Sequence, residues 1–309
     1  MLYTLTVNPA VDLNVTADQI ASGQVNRTRD SVFSPNGKGL NVSFALRHFG
    51  VTSGIMGFFG GFTGEYITAY CKNSGYPMAF VGIEEITRVN FFVNGERSEY
   101  KFVNEGPYVP DEKQEQLLEQ IQTRQDLEIL SIHGSSAKGQ QGDFYDRVME
   151  ICGHRNIPVI LDISSPKLKT LLQYRPLLIK PNDEELLECF GLPAENETEV
   201  ITAIRLLHTM GAQNVLLTLG KKGAYFSDGK ALYYCGTKVV TQKNSACAGD
   251  AFLAGFLSIW LQDRENAVRA LKRAAAAGAN AAESDGLGDL TKVDEYERQI
   301  QVRKIQMGG

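Results

Sequence analysis

Short apolar runs alternate with amphipathic stretches along almost the whole chain, and this rhythm limits the folds available. The runs Leu2–Val7, Gly54–Phe59, Leu127–Ile132, Pro158–Ile163, Leu177–Lys180 and Asn214–Leu219 are rich in Val, Ile and Leu and end in turn residues. Between them lie helical patterns at Leu40–Phe49, Gly64–Ser74, Glu112–Gln122, Gly142–Cys152, Asp183–Phe190 and Glu199–Met210. Two more helices are expected at Asp250–Gln262 and Glu265–Glu283. Strands that are apolar throughout must be covered on both faces. Strand–helix alternation therefore predicts an α/β fold with a mostly parallel central sheet between two helical layers. Ligands in such folds bind beyond the carboxyl ends of the strands. A length of 309 residues suits one large α/β domain, alone or with a small annex.

Composition excludes several functions. The net charge is -5, with no basic run, so nucleic acid is not an expected partner. No apolar run approaches the roughly 20 residues that span a bilayer, and no membrane partner is expected. The opening "MLYTLTVNPAVDLNV" reads as a first strand rather than a signal peptide. Five cysteines without a CxxC pair read as reduced thiols, and a cytoplasmic location is expected. Four scattered histidines offer no metal-ligand spacing.

One segment breaks the rhythm. "RVNFFVNGERSEYKFV", Arg88 to Val103, has two alternating runs around Asn94-Gly95, the pattern of a hairpin. Arg88, Asn90 and Phe92 fall on one face, and Val89, Phe91 and Val93 on the other. A cationic, amide-bearing face opposite an apolar one suits a lid, and the extended stretch Val11–Arg27 could join it. A plain surface hairpin would carry the same pattern.

Three turns could carry chemistry. In "NSACAGDAFLAGF" the small residues Ala248 and Gly249 lead into Asp250, where a helix is expected to begin. Unpaired N–H groups at a helix start attract anions, and an acid there could take a proton from a hydroxyl during phosphoryl transfer. An ordinary helix cap is the local alternative. In "SPNGKGLNVSFAL", Lys38 could face a phosphate and Asn41 a sugar hydroxyl. The loop is not a Walker A motif, because Gly39 stands where a Ser or Thr would hold Mg²⁺. In "IKPNDEELLECFG", Asn182 is a natural N-cap, and with Glu185 it could hold Mg²⁺ and its waters. "GFFGGFTGEYI" has the wrong spacing for a dinucleotide fingerprint.

In this order the blocks "TVNPAVDLNV", "GQVNRTR", "NGKGLNVS", "GFFGGFTGEYI", "TRVN", "IKPNDEEL", "LTLGKKGA" and "AGDAFLAGF" resemble the PfkB, or ribokinase-like, sugar kinases over nearly the whole chain. The phosphofructokinase and tagatose-phosphate kinase branch is the nearest. The resemblance implies a single ribokinase-like kinase domain over 1–309, with a β lid from about 11–34 and 88–104. It implies ATP and Mg²⁺ as cofactors and a ketohexose phosphate as acceptor. Fructose 1-phosphate is the first expectation. Tagatose 6-phosphate and fructose 6-phosphate are alternatives, and a non-catalytic sugar-phosphate or nucleotide sensor is the reading from another class. Asp250 matches the catalytic base, the backbone of Ala248, Gly249 and Asp250 the anion hole, and Cys247 the first position of the same motif. Asp12, Gly37 and Asn41 match sugar-hydroxyl positions. Lys38, Arg88, Asn90 and, more weakly, Arg27 match the region receiving the sugar's phosphate, with Ser135 on the same side. Lys180, Asn182, Thr218, Gly220, Gly223, Gly278 and Asn280 match nucleotide positions, and Glu185 a metal position. A homodimer through the lid is a possible assembly. Three departures stand out: Cys247 and Asn36 where the family usually has Gly, and His133 where Ser is common. If position 247 needs a positive φ, a cysteine there would strain the turn.

Overall fold

The computed structural model describes residues 1–95, 99–243 and 247–306. In chain order, β1 (Leu2–Thr6), β2 (Ala10–Thr16) and β3 (Arg29–Asn36) precede α1 (Lys38–His48). Then come β4 (Ser53–Gly60), α2 (Gly61–Asn73), β5 (Met78–Ile83), β6 (Arg88–Asn94), β7 (Glu99–Phe102) and α3 (Asp111–Thr123). They are followed by β8 (Ile129–Gly134), α4 (Phe144–His154), β9 (Val159–Ile163), α5 (Lys167–Leu171), β10 (Leu178–Ile179), α6 (Asp183–Phe190) and α7 (Glu197–Thr209). The last part holds β11 (Val215–Thr218), β12 (Ala224–Ser227), β13 (Leu232–Cys235), α8 (Ala248–Trp260), α9 (Ala267–Ala282), α10 (Val293–Glu297) and β14 (Val302–Ile305).

Ten strands form the large sheet, in the order β14-β13-β12-β11-β10-β9-β8-β1-β4-β5. From β11 to β5 every pairing is parallel, while β12, β13 and β14 extend the sheet antiparallel. Residue alternation splits the core between the two faces. Val159, Leu161 and Ile163 join one cluster with Leu117, Phe144 and Ile204 from α3, α4 and α7. Ile160, between them in sequence, joins the opposite cluster with Val42, Phe252 and Ala274 from α1, α8 and α9. Each such aliphatic side chain stabilises the fold by about 1.5–3 kcal/mol on full burial. Both faces are thus covered, as the apolar strands require. No helix is long and apolar enough to cross a membrane, among the described residues. All five cysteines are free.

The second sheet has four strands, in the order β3-β2-β6-β7. It covers the lid segments expected from the sequence, with a separate third strand, β3, inside the first of them. β2 runs parallel to β6, so Ala10, Asp12 and Asn14 lie beside Arg88, Asn90 and Phe92 on one face. The turn departs from expectation. Asn94 pairs with Glu99, so Asn94 ends a strand and a four-residue connection replaces the tight Asn94-Gly95 turn. Residues 96–98 of that connection, and Asn244, Ser245 and Ala246 of the glycine-rich turn, lie outside the described residues. The sequence also concealed β5, β12, β13 and β14, which are short and do not fit the strand–helix alternation.

Candidate active site

The C-terminal ends of β1, β8, β9, β10 and β11 converge where the small sheet meets α1 and α8. α8 begins at Ala248, with Cys247 as its N-cap. Asp250 is therefore the third helical residue and not the cap, which corrects the expectation. It sits in the first turn and makes no capping bond to the helix. The residue is only 3% exposed, and its carboxylate accepts a hydrogen bond from Asn41 Nδ2 at 2.9 Å. Burial pushes its pKa up to about 7, aided by the negative Asp162; Lys38, the Asn41 hydrogen bond and Lys180 pull the other way. A carboxyl group poised near neutrality suits a general base.

Asn41 belongs to a polar chain that crosses to the small sheet. Its Nδ2 also donates to Asn36 Oδ1 at 2.8 Å. Asn36 Nδ2 donates to Asp12 Oδ2, and Asn90 Nδ2 donates to Asp12 Oδ1 at 2.8 Å. Asp12, Asn90 and Asn41 are thus brought together. Gly37 caps α1 with φ 143, a backbone that favours glycine. A cleft of about 870 Å³ opens along this face, lined by Asp12, Asn14, Ser34, Asn36, Asn41 and Cys247 among others. The cleft reaches the polar chain but not the Lys38, Glu185 and Arg88 groups, so it marks one half of the site only. The arrangement of the side chains, rather than the size of the void, defines the rest.

Beneath Asp250 lies a buried charge cluster. Asp162, at the end of β9, is fully buried and faces Lys180 Nζ at 3.1 Å, Lys38 Nζ at 3.5 Å and His133 Nδ1 at 3.5 Å. Burial alone would raise its pKa, but Lys180, Lys38 and His133 hold it far below the usual carboxylate range. For Lys38, burial works against the charge. Asp162, Glu185 and Asp250 outweigh it and hold the ammonium firmly protonated. His133 is driven towards its neutral form by burial, which Asp162 offsets in part. Lys38 also donates to Ser164 Oγ at 2.9 Å and approaches Glu185 Oε1 at 3.5 Å. It therefore stands with Glu185 and not with Arg88, contrary to the expected grouping. Gly249 leaves room at the helix start. A Cβ there would lie 3.8 Å from Lys180 Nζ.

Asn182 and Glu185 form a reciprocal capping box on α6. Asn182 Oδ1 accepts from Glu185 N at 2.6 Å, and Glu185 Oε2 accepts from Asn182 N at 3.1 Å. Asn182 also bridges to Thr218. Thr218 ends β11, and the turn after it runs through Gly220 and Gly223. Gly223 has φ 97, and a Cβ there would sit 2.1 Å from Cys235 O. On α9, Gly278 lets Ala248 approach, and a Cβ would come 3.2 Å from Ala248 O. Asn280 accepts from Lys292 N at 2.9 Å, a structural tie within the same helix layer.

Arg88 lies at the other end of the polar face. Its guanidinium donates to Asn8 O at 3.1 Å and Asn104 O at 2.7 Å. Burial lowers its pKa, and Asp12 offsets this in part. Asn8 Nδ2 in turn donates to Ser135 Oγ at 3.3 Å, which ties Ser135 to the Arg88 end. Arg27 lies exposed in the loop between β2 and β3. Cys247 has φ -97 and so is unstrained. Burial pushes its thiol pKa up, with help from Asp250 and Asp12. Sequence reasoning missed Asp162, Ser164 and Asn8. A lone acid in the apolar run "VILDI" was the available signal for Asp162.

The chain is similar over nearly its whole length to known sugar kinases. The D-tagatose-1-phosphate kinase of Klebsiella oxytoca is 44% identical over 99% of this chain and the whole of that protein. The 1-phosphofructokinase of Bacillus subtilis is 32% identical over the same shares. Escherichia coli phosphofructokinase-2, solved with fructose-6-phosphate and in a tetrameric inhibited form, superposes with a TM-score of 0.87 at 26% identity. The match covers 96% of this chain and 99% of that one. Residues 5–293 match the pfkB family carbohydrate kinases, and the chain belongs to that family.

Proposed function

We propose that this protein transfers the γ-phosphoryl group of ATP to the free primary hydroxyl of a ketohexose 1-phosphate, giving the 1,6-bisphosphate. D-tagatose 1-phosphate comes first and D-fructose 1-phosphate second. The order follows the higher identity of the Klebsiella relative. Tagatose 1-phosphate was not among the sugars the motifs suggested. The single observation that carries the reading is Asp250. It is a buried carboxylate in the first turn of α8, held by Asn41, which itself lines the polar cleft.

Asp250 takes the hydroxyl proton as the sugar oxygen attacks phosphorus. The new O–P bond forms in line with the breaking bond to ADP. The N–H groups at the start of α8, with Lys180 and Lys38 beside them, offset charge on the transferring group. Asp12, Gly37, Asn41 and Asn90 hold sugar hydroxyls, and Arg88 with Ser135 serves the sugar's own phosphate. Arg27 has no assigned role. Lys180, Asn182, Thr218, Gly220 and Gly223 line the nucleotide side, with Gly278 and Asn280 behind it. No group of three or more metal-ligating side chains occurs among the described residues. Glu185 lies on the nucleotide side, tied to Asn182 and near Lys38, which fits Mg²⁺ carried in with ATP phosphates and water rather than caged by protein. Glu185 would hold that ion's shell, and the ion would supply neutralisation of phosphate charge. The chain works as one catalytic unit with the small sheet as its lid. A cytoplasmic location accords with the five free thiols.

The test is coupled ADP release with D-tagatose 1-phosphate, D-fructose 1-phosphate and both 6-phosphates, for wild type and Asp250→Asn. Turnover on a 1-phosphate that the variant loses supports the reading. Turnover confined to a 6-phosphate, or none, overturns it.

A further inference from the structure

We infer that Asn36 is a positioning residue for the reaction, fixing which end of the Asn41 amide meets Asp250. The inference rests on Asp250 being the base proposed above. An asparagine amide has a donor end and an acceptor end of nearly equal size, so neighbours decide its orientation. Asn36 is determined from two sides. Burial raises the Asp12 pKa, while Asn90, Asn36 and Arg88 favour its charged form, and the carboxylate takes the Asn36 Nδ2 donor. The Gly37 N–H can only donate, and it reaches Asn36 Oδ1 at 2.6 Å. Asn36 Oδ1 therefore faces Asn41, and Asn41 must present its NH₂ group there, at 2.8 Å. The second hydrogen of that NH₂ goes to Asp250 Oδ2 at 2.9 Å. The polarity of Asp12, on the small sheet, is thus passed through two amides to the base on α8.

The consequence is chemical. A donor aimed at a carboxylate favours its charged form, whereas an acceptor aimed at it favours the acid. With Asn36 removed, Asn41 loses the partner that forbids it to turn its oxygen towards Asp250. The charged and titratable groups around Asp250 are Lys38 from α1, Asp162 from β9, Lys180 after β10, and Cys247 beside it. Asp12 acts on Cys247 from the small sheet. Of these only Cys247 touches the Asn41 amide, its Sγ lying 3.5 Å from Asn41 Nδ2, longer than the 2.8 Å to Asn36 Oδ1. Asn36 also lines the cleft, between Asp12 and Asn41, so its loss is felt on the sugar side as well.

The experiment is a ¹³C NMR titration of the aspartate carboxyls in wild type and Asn36→Ala, with Asp250→Asn to assign the signal. The expected result is a rise in the Asp250 midpoint of about one pH unit in Asn36→Ala. The acid limb of kcat should move with it, while KM for ATP stays put. Asn36→Ser is too short to span both partners. It should show the same rise if the alanine variant does not fold. An unchanged midpoint in the folded variant overturns the inference. Wild type inactive on all four sugar phosphates would instead refute the proposed function, and the NMR midpoint would still decide the role of Asn36.

Discussion

Asp250 carries the sharpest residue-scale consequences. Replacing it by asparagine removes the proton acceptor while keeping the size of the side chain, so kcat should fall by about 10²–10⁴ with binding retained. Wild-type kcat should fall as pH drops through about 7, because only the carboxylate accepts a proton. The stability effect has the opposite sense. The folded pKa, about 7, exceeds the ordinary value of 3.8. The stability this group contributes is therefore full below pH 3.8 and is lost as pH rises towards 7. Asp250→Asn does not titrate. Above neutral pH it should exceed wild type by on the order of 2 kcal/mol, with the gap closing near pH 4. Denaturant midpoints measured across that range check this. Asp250 was legible in the sequence because its signal is local, small residues and then one acid at a helix start. Asn36 and Asp162 were not, because their meaning lies in contacts. The Asn41–Asp250 hydrogen bond spans 209 residues of chain. A glycine-rich loop gives no hint that the side chain of Asn36 joins two strands and a helix.

At the scale of elements, two helix starts set the site, and each can be perturbed separately. The capping box of α6 ties Asn182 and Glu185 to each other. Asn182→Ala should destabilise the fold by about 1 kcal/mol, since the Glu185 N–H loses its side-chain acceptor while the Glu185 carboxylate keeps the backbone N–H of residue 182, and should raise KM for ATP as the start of α6 loosens. Thermal unfolding and nucleotide kinetics read the two effects independently. The start of α8 depends on α9. A Cβ at Gly278 would press within 3.2 Å of Ala248 O and 3.4 Å of Phe252. Gly278→Ala should therefore cost about 1 kcal/mol and lower kcat several-fold, because the helix end carrying Asp250 must give way. Unchanged kcat in a destabilised variant would separate packing from positioning. The strands of the parallel sheet were readable because strands buried on both faces are apolar throughout. The antiparallel edge β12–β13–β14 was not, since its four-residue strands carry polar residues such as Ser227, Arg303 and Lys304.

The whole molecule presents one apolar surface that the catalytic reading leaves unused. The small sheet turns its polar face to the cleft. On its opposite face, register aligns Phe33, Leu13, Phe91 and Phe102 across all four strands. Phe33 and Phe102 are each 54% exposed, and Tyr100 beside them 40%. The Phe91 and Phe102 rings lie 6.1 Å apart, and Phe91 and Leu13 also pack against Val15, Ala17 and Val93. A row of large apolar side chains spanning a sheet marks an interaction surface, and β3 and β7 are the edge strands of that sheet. A second copy of the same face, crossing this one, would cover the row and hold the lid over the sugar, consistent with a homodimer through the lid. Phe33→Asp with Phe102→Asp should then convert a dimer to monomers in sedimentation velocity. KM for the sugar phosphate should rise more than KM for ATP, since the small sheet carries Asp12, Arg88 and Asn90, the residues proposed above to hold the sugar phosphate. A wild-type protein that sediments as a monomer at micromolar concentration, or a variant that stays dimeric, would rule this assembly out. An equal rise in both KM values would mean that the face supports the fold of the whole site rather than the lid.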